Sequence, residues 1–137
     1  MDGIEIGMEG HAEMIVGTND TAPRVGSGRI AVLATPVMIN LVEEAALDAI
    51  EERLPAGCQS LGTHLDVSHI AATPTGHRVV ALARVTEIDG RRVTFDVSVR
   101  DELETVGEGH HTRVVVTADT FTARVSAKAK RSQETSA

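Results

Sequence analysis

A hydroxyl, a carboxylate and an imidazole are the groups with which proteins attack electrophilic carbon and move protons. In this chain of 137 residues, Thr35, Glu43 and His69 each occupy a position that invites such a reading. Residues 36–54 form a run without a helix breaker, with Pro36 at its start and Pro55 and Gly57 beyond its end. On a wheel at ~100° per residue, Asn40, Glu44, Asp48 and Glu51 make a solvated arc. Met38, Leu41, Val42, Ala45 and Ala49 make a broad apolar face, and Ile39, Ala46, Leu47, Ile50 and Leu54 a second apolar sector beside it. Glu43 falls in that second sector, at a boundary where burial disfavours charge unless a partner compensates. Glu44, on the polar arc, is its solvated control.

Each of the three residues also has a purely structural explanation. Thr35 caps the helix start well. Glu43 can reach round to solvent or pair with an arginine. His69 shares strand parity with Leu61, Leu65 and Val67, so its ring points to the apolar side, where a lone histidine is commonly a hydrogen-bonded core residue. His110 and His111 are adjacent and point to opposite faces. With no cysteine or second carboxylate at ligand spacing, they predict no metal site. Cys58 is the only cysteine, reads as an inert loop thiol rather than a nucleophile, and suits a reducing compartment.

The elements that must position these residues are legible from period changes. Residues 10–16 read as a first strand and 17–28 as a loop rich in turn formers. After the helix the period falls from 3.6 to 2. Leu61, Thr63, Leu65, Val67 and His69 alternate with polar residues, and Pro74 and Gly76 then make a turn. Val79, Ala81, Ala83 and Val85 mark another strand, Asp89-Gly90 a hairpin, and Val93, Phe95, Val97 and Val99 a half-buried antiparallel strand. A last strand runs from about 106 to 117 or 121. Residues 1–122 form a single domain, and 123–137, basic and then mixed, a frayed polar tail. One helix and one antiparallel sheet, each covering the other's apolar face, make an α+β fold. The doubly apolar helix leaves room for a second subunit.

Composition bounds the partners. A formal net charge of -7 is poor for binding nucleic acid. Residues 1–10 hold acids and no long apolar run, so neither a signal peptide nor a membrane span is expected there. A cytoplasmic protein with no membrane association follows as the expectation.

The segments LATPVMINLVEEAA (33–46), SLGTHLDVSHIAATPTG (60–76), IDGRR (88–92) and GEGHHTR (107–113) together resemble the fluoroacetyl-CoA thioesterase family. The similarity spans roughly residues 5–125. It implies the hot-dog fold, one long central helix wrapped by a five-stranded antiparallel sheet, and a homodimer, or a higher oligomer, whose subunits share active sites. It implies thioester hydrolysis of an acyl-CoA to the free acid and CoA, with coenzyme A as part of the substrate and no cofactor. Thr35, Glu43 and His69 match the family's catalytic residues, Gly62 a glycine lining the acyl site, and Arg113 an arginine near the thioester end.

What Glu43 does is left open: it attacks the carbonyl directly or activates water, with Thr35 sharing or positioning that step. His69, with an ordinary pKa near 6.5, suits proton transfer at neutral pH. Arg91, Arg92, Lys128, Lys130 and Arg131 are candidates to meet the CoA phosphates, or are solvated surface. One stretch departs from the family. Where the fluoroacetyl-specific enzymes place lid phenylalanines, this chain has Val25-Gly26-Ser27-Gly28-Arg29. A short or otherwise substituted acyl group is expected instead. A hot-dog hydratase or dehydratase and a non-catalytic acyl-CoA binding module are the alternatives.

Overall fold

The computed structural model describes residues 3–136. Strand β1 (Glu9–Ile15) leads through a 3₁₀ turn (Thr18–Asp20) and a four-residue helix α1 (Ala22–Val25) to the long helix α2 (Thr35–Ile50). A 3₁₀ turn (Glu51–Arg53) follows, then β2 (Cys58–His69), β3 (Arg78–Asp89), β4 (Arg92–Arg100), β5 (Thr105–Thr117) and a terminal helix α3 (Ala118–Ser136). The strands form one antiparallel sheet in the order β1-β3-β4-β5-β2. This is the hot-dog arrangement, with α2 as the filling.

Small residues set how closely the sheet wraps. A Cβ built on Gly10 would collide with the Ala49 nitrogen and the Ala45 carbonyl oxygen, so β1 sits directly on the helix backbone. Met38, Leu41, Val42, Ala45, Ala46, Ala49 and Ile50 of α2 are buried against Val79, Ala81, Ala83, Val85, Val93, Phe95 and Val99. The polar arc of α2 is solvent-exposed at Asn40, Glu44 and Asp48, as the wheel predicts. A third row, Ile39, Glu43 and Leu47, is only half-buried. The second apolar sector is therefore real, but a single chain does not fully cover it.

Several expectations are corrected. Ala34, not Thr35, is the N-cap, and Thr35 is the first helical residue with Pro36 behind it. The α-helix ends at Ile50 and its last stretch tightens into the 3₁₀ turn. The strict alternation read through residues 61–69 breaks, because β2 carries a bulge between Gly62 and His64. Before the bulge Ser60 and Gly62 face the helix, opposite Val115 and Arg113; after it Leu65, Val67 and His69 do so, opposite His111, Gly109 and Gly107. Leu61 therefore points outward, and Thr63 is the extra residue. The β3–β4 loop is Gly90-Arg91 closed by Asp89 and Arg92, with Gly90 at φ 59°, the left-handed value that its first position requires. The last strand stops at Thr117. Residues 118–136 are helical where a frayed tail was expected, although nearly every side chain from Thr122 to Thr135 is exposed. Among the described residues no helix is long and apolar enough to cross a membrane.

Candidate active site

The five residues singled out in the sequence fall into two groups within one chain. The first is Thr35 and His69. Because Ala34 takes the capping position, the Thr35 hydroxyl makes no cap bond and lies 2.7 Å from His69 Nδ1. The segment before α2 is pinned so that this contact holds: Leu33 N–H donates to the Thr73 carbonyl and Ala34 N–H to that of Asp20. Burial pulls the His69 pKa below its usual value, partly countered by the backbone of Ala71. Its Nε2 is buried with no partner among the described residues. The pair opens onto a pocket of about 330 Å³ lined by Ala22, Val32, Leu33, Ala71 and Ala72 among others, with no aromatic side chain.

The second group is Glu43, Gly62 and Arg113. Arg113 Nη1 donates to Glu43 Oε2 at 3.3 Å. The arginine side chain is 5% exposed and the glutamate 36%, so this is a pair with one foot in water. Both of the sequence's readings of Glu43 thus hold at once: it lies at a buried boundary and it pairs with an arginine. A Cβ on Gly62 would stand 3.0 Å from Glu43 Oε2 and 3.1 Å from His111 Cε1, so only glycine leaves that side of the carboxylate open.

Three residues that the sequence reading did not place in the site, among them Glu51, which it put on the solvated arc, hold Arg113 in place. Its Nε donates to Ser60 Oγ at 2.8 Å and its Nη2 to the Ser60 carbonyl at 3.2 Å. Ser60 is itself fixed by Glu51, which accepts from its hydroxyl at 2.6 Å and its N–H at 2.9 Å. His111 is fully buried and stacks on Phe95 at 6.0 Å between centroids. Its Nδ1 lies 2.8 Å from the His64 carbonyl, which can only accept, so Nδ1 carries the proton and Nε2 is left to accept from Arg113 Nη1 at 3.1 Å. Burial, opposed in part by the His64 carbonyl and reinforced by Arg113, lowers the His111 pKa, which agrees with this neutral tautomer. The signal available in the sequence was the inward parity of residues 111 and 113 on one strand. The sequence reading weighed His111 only against its neighbour His110, as residues on opposite faces, and took Arg113 only from the resemblance.

The two groups do not touch within one chain. Thr35 and Glu43 are eight residues apart on α2, about 12 Å along its axis. His69 and Gly62 sit toward opposite ends of β2, which is an edge strand of the sheet with one side unpaired. Leu61 and Leu65 on that strand are exposed to 38% and 37%. Among the described residues no cluster of three or more His, Cys, Asp or Glu is arranged to hold a metal ion.

The profile of the fluoroacetyl-CoA-specific thioesterase family matches residues 16–119. The fluoroacetyl-CoA thioesterase of Streptantibioticus cattleyicolor is 39% identical over 97 residues, which cover 71% of this chain and 70% of that protein. The crystal structure of the fluoroacetyl-CoA thioesterase FlK superposes with a TM-score of 0.87 at 32% identity, over 93% of this chain and 98% of that one. A thioesterase-superfamily member from Thermus thermophilus gives a TM-score of 0.87 at 25% identity, over 98% and 99% of the two chains. Together with the hot-dog architecture, these matches show that the chain belongs to the fluoroacetyl-CoA-specific thioesterase family.

Proposed function

We propose that this protein is an acyl-CoA thioesterase working as a homodimer, each site combining Thr35 and His69 of one subunit with Glu43, Gly62 and Arg113 of the other. One observation carries the reading: the two halves of the constellation lie toward opposite ends of the same unpaired edge strand, β2. A second copy added antiparallel along that edge, about a twofold axis, brings the His69 end of one β2 beside the Gly62 end of the other. The same pairing would satisfy the free backbone of β2 and cover Leu65 and the half-buried row Ile39, Glu43 and Leu47.

In such a site the thioester carbonyl lies between the two halves. Glu43, held by Arg113, acts on the carbonyl carbon directly or through a water that it orients. The C–S bond breaks, the hydroxyl of water ends on the acyl carbon, and its proton ends on the CoA sulfur. His69 starts neutral, because burial depresses its pKa, and is able to take and return that proton. Thr35, bonded to Nδ1, orients the ring and shares the site with the acyl group. No cofactor enters this chemistry. Lined by alanine and short aliphatic side chains, the pocket beside Thr35 and His69 fits a short or substituted aliphatic acyl group, with no aromatic lid to select for fluoroacetyl. The lone, half-buried Cys58 thiol fits a reducing, cytoplasmic setting.

A thiol-release screen across saturated acyl-CoA chain lengths and α-substituents tests the reading. Free thiol should appear with short saturated chains. A hydratase would release none from a saturated substrate, and a binding module would hold the thioester without turnover.

A further inference from the structure

The β3–β4 loop and the first two turns of α3 enclose a cleft of about 420 Å³, lined by Arg91, Val116, Thr117, Thr120, Phe121 and Arg124. It lies apart from the residues placed in the active site, and its volume is within the range of small-ligand pockets. Its lining is unusual for this chain. Two guanidiniums meet there although the protein as a whole carries a net charge of -7. No carboxylate lines the cleft, and among the described residues none pairs with Arg91 or Arg124. Two arginines at one cleft with no acidic partner repel each other, and a bound anion relieves that repulsion.

The construction is specific. Thr120, Phe121 and Arg124 share one face of α3, and Thr117 closes β5 just before it, so two hydroxyls, one ring and one guanidinium line the same cleft. Phe121 is one of only two phenylalanines in the chain and is half-buried at the wall of the cleft, whereas the other, Phe95, is fully buried in the core. Arg91 stands at the tip of the β3–β4 loop, and its carbonyl accepts from Val115 N–H at 2.8 Å, which ties the loop to β5. Gly57 fixes the start of α3 from the other side, its carbonyl accepting from Ala118 N–H at 2.9 Å. A phosphorylated nucleoside, with anionic groups for the arginines and hydroxyls and a flat base for the ring, matches this set.

We infer that this cleft binds the phosphorylated adenosine end of the acyl-CoA, with Arg91 and Arg124 on its phosphates and Phe121 against its base. The inference rests on the thioesterase reading and adds the nucleotide subsite to it. Thr117 is four residues beyond Arg113 on β5, about 13 Å at the rise of a strand. The pantetheine arm is long enough to span such a gap between thioester and nucleotide. Lys128 and Arg131 continue the same helix face beyond the cleft, so they would add attraction at a distance rather than direct contact.

Calorimetric titration of the full-length protein with CoA and with pantetheine, which lacks the nucleotide, tests this. Wild type should bind CoA more tightly than pantetheine. The Arg91→Gln/Arg124→Gln double variant should lose at least about tenfold in CoA affinity, and Arg78→Gln, the same charge removed at the opposite end of β3, should not. Wild-type CoA affinity in the double variant, equal affinity of wild type for CoA and pantetheine, or an equal loss in Arg78→Gln would overturn the inference. Binding is read without turnover. Absence of thiol release would therefore sink the hydrolase and leave this measurement standing, whereas turnover with unaltered CoA affinity in the double variant would sink the cleft alone.

Discussion

Glu43 and Glu44 are chemically identical neighbours whose surroundings differ, which makes them a direct test at the scale of the residue. Glu43 pairs with Arg113 beneath an open glycine, whereas Glu44 is exposed and, among the described residues, accepts only from Asn40, at 3.2 Å. Glu43→Gln should lower kcat by at least ~100-fold, and Glu44→Gln should leave it near wild type; the reverse ranking would remove Glu43 from the chemistry. Acidity provides a second test. Burial holds the pKa values of both His69 and His111 below the ordinary imidazole value. The acid limb of kcat/KM should therefore fall below pH ~6.5, and an acid limb at or above that value would contradict a depressed His69. Stability has its own sign. Above the unfolded value both rings are neutral in both states. As pH falls through it, the unfolded chain takes up protons that the folded chain does not, so stability is level above about pH 7 and declines on acidification. Thermal melting from pH 8 to 5 reads this, and a melting temperature that rises on acidification would contradict it. The oddity of Glu43 was legible in the sequence because helical periodicity is a strong signal. Ser60, Glu51 and His111 were not legible, because what marks them is who they bond across the fold.

At the scale of the element, the site depends on how closely β1 and β2 approach α2. Gly10→Ala puts a methyl group against helix backbone, which cannot rotate away, and should cost ~3 kcal/mol or more by chemical denaturation. A loss under ~0.5 kcal/mol would show that β1 can lift off. Gly62→Ala meets only side-chain atoms of Glu43, His111 and Arg113 at 3.0–3.4 Å. That variant should fold and lose activity because the carboxylate is displaced, so full activity would contradict the placement of Gly62 in the site. The helix, the four later strands and their turns were readable from period and breakers. The β2 bulge was not, since Gly62 and Thr63 fit smooth alternation equally well, and it alone reverses which side of the sheet Leu61 and Ser60 occupy. The terminal helix was also missed: polar residues without an apolar stripe read as tail, yet Ala and Lys are good helix formers.

At the scale of the molecule, the proposed twofold assembly would join the two residue groups across the uncovered β2 edge. Leu65→Lys would bury a charge in that interface and should give a monomer without turnover by light scattering and assay; an active monomer would contradict shared sites. The fold was available from the resemblance of the sequence to its family, which also nominated the five candidate residues. Their division into two groups within one chain needed coordinates, because strand register, not spacing, decides which side chains meet.

Complementation between two inactive proteins measures that division directly. His69→Ala and Glu43→Gln are each expected to be inactive alone. In a mixed dimer one of the two sites then carries both lesions and the other carries neither. Unfolding and refolding an equal mixture should restore about a quarter of wild-type turnover by random twofold pairing. No recovery, with mixed dimers shown to have formed, would mean that each subunit supplies a whole site.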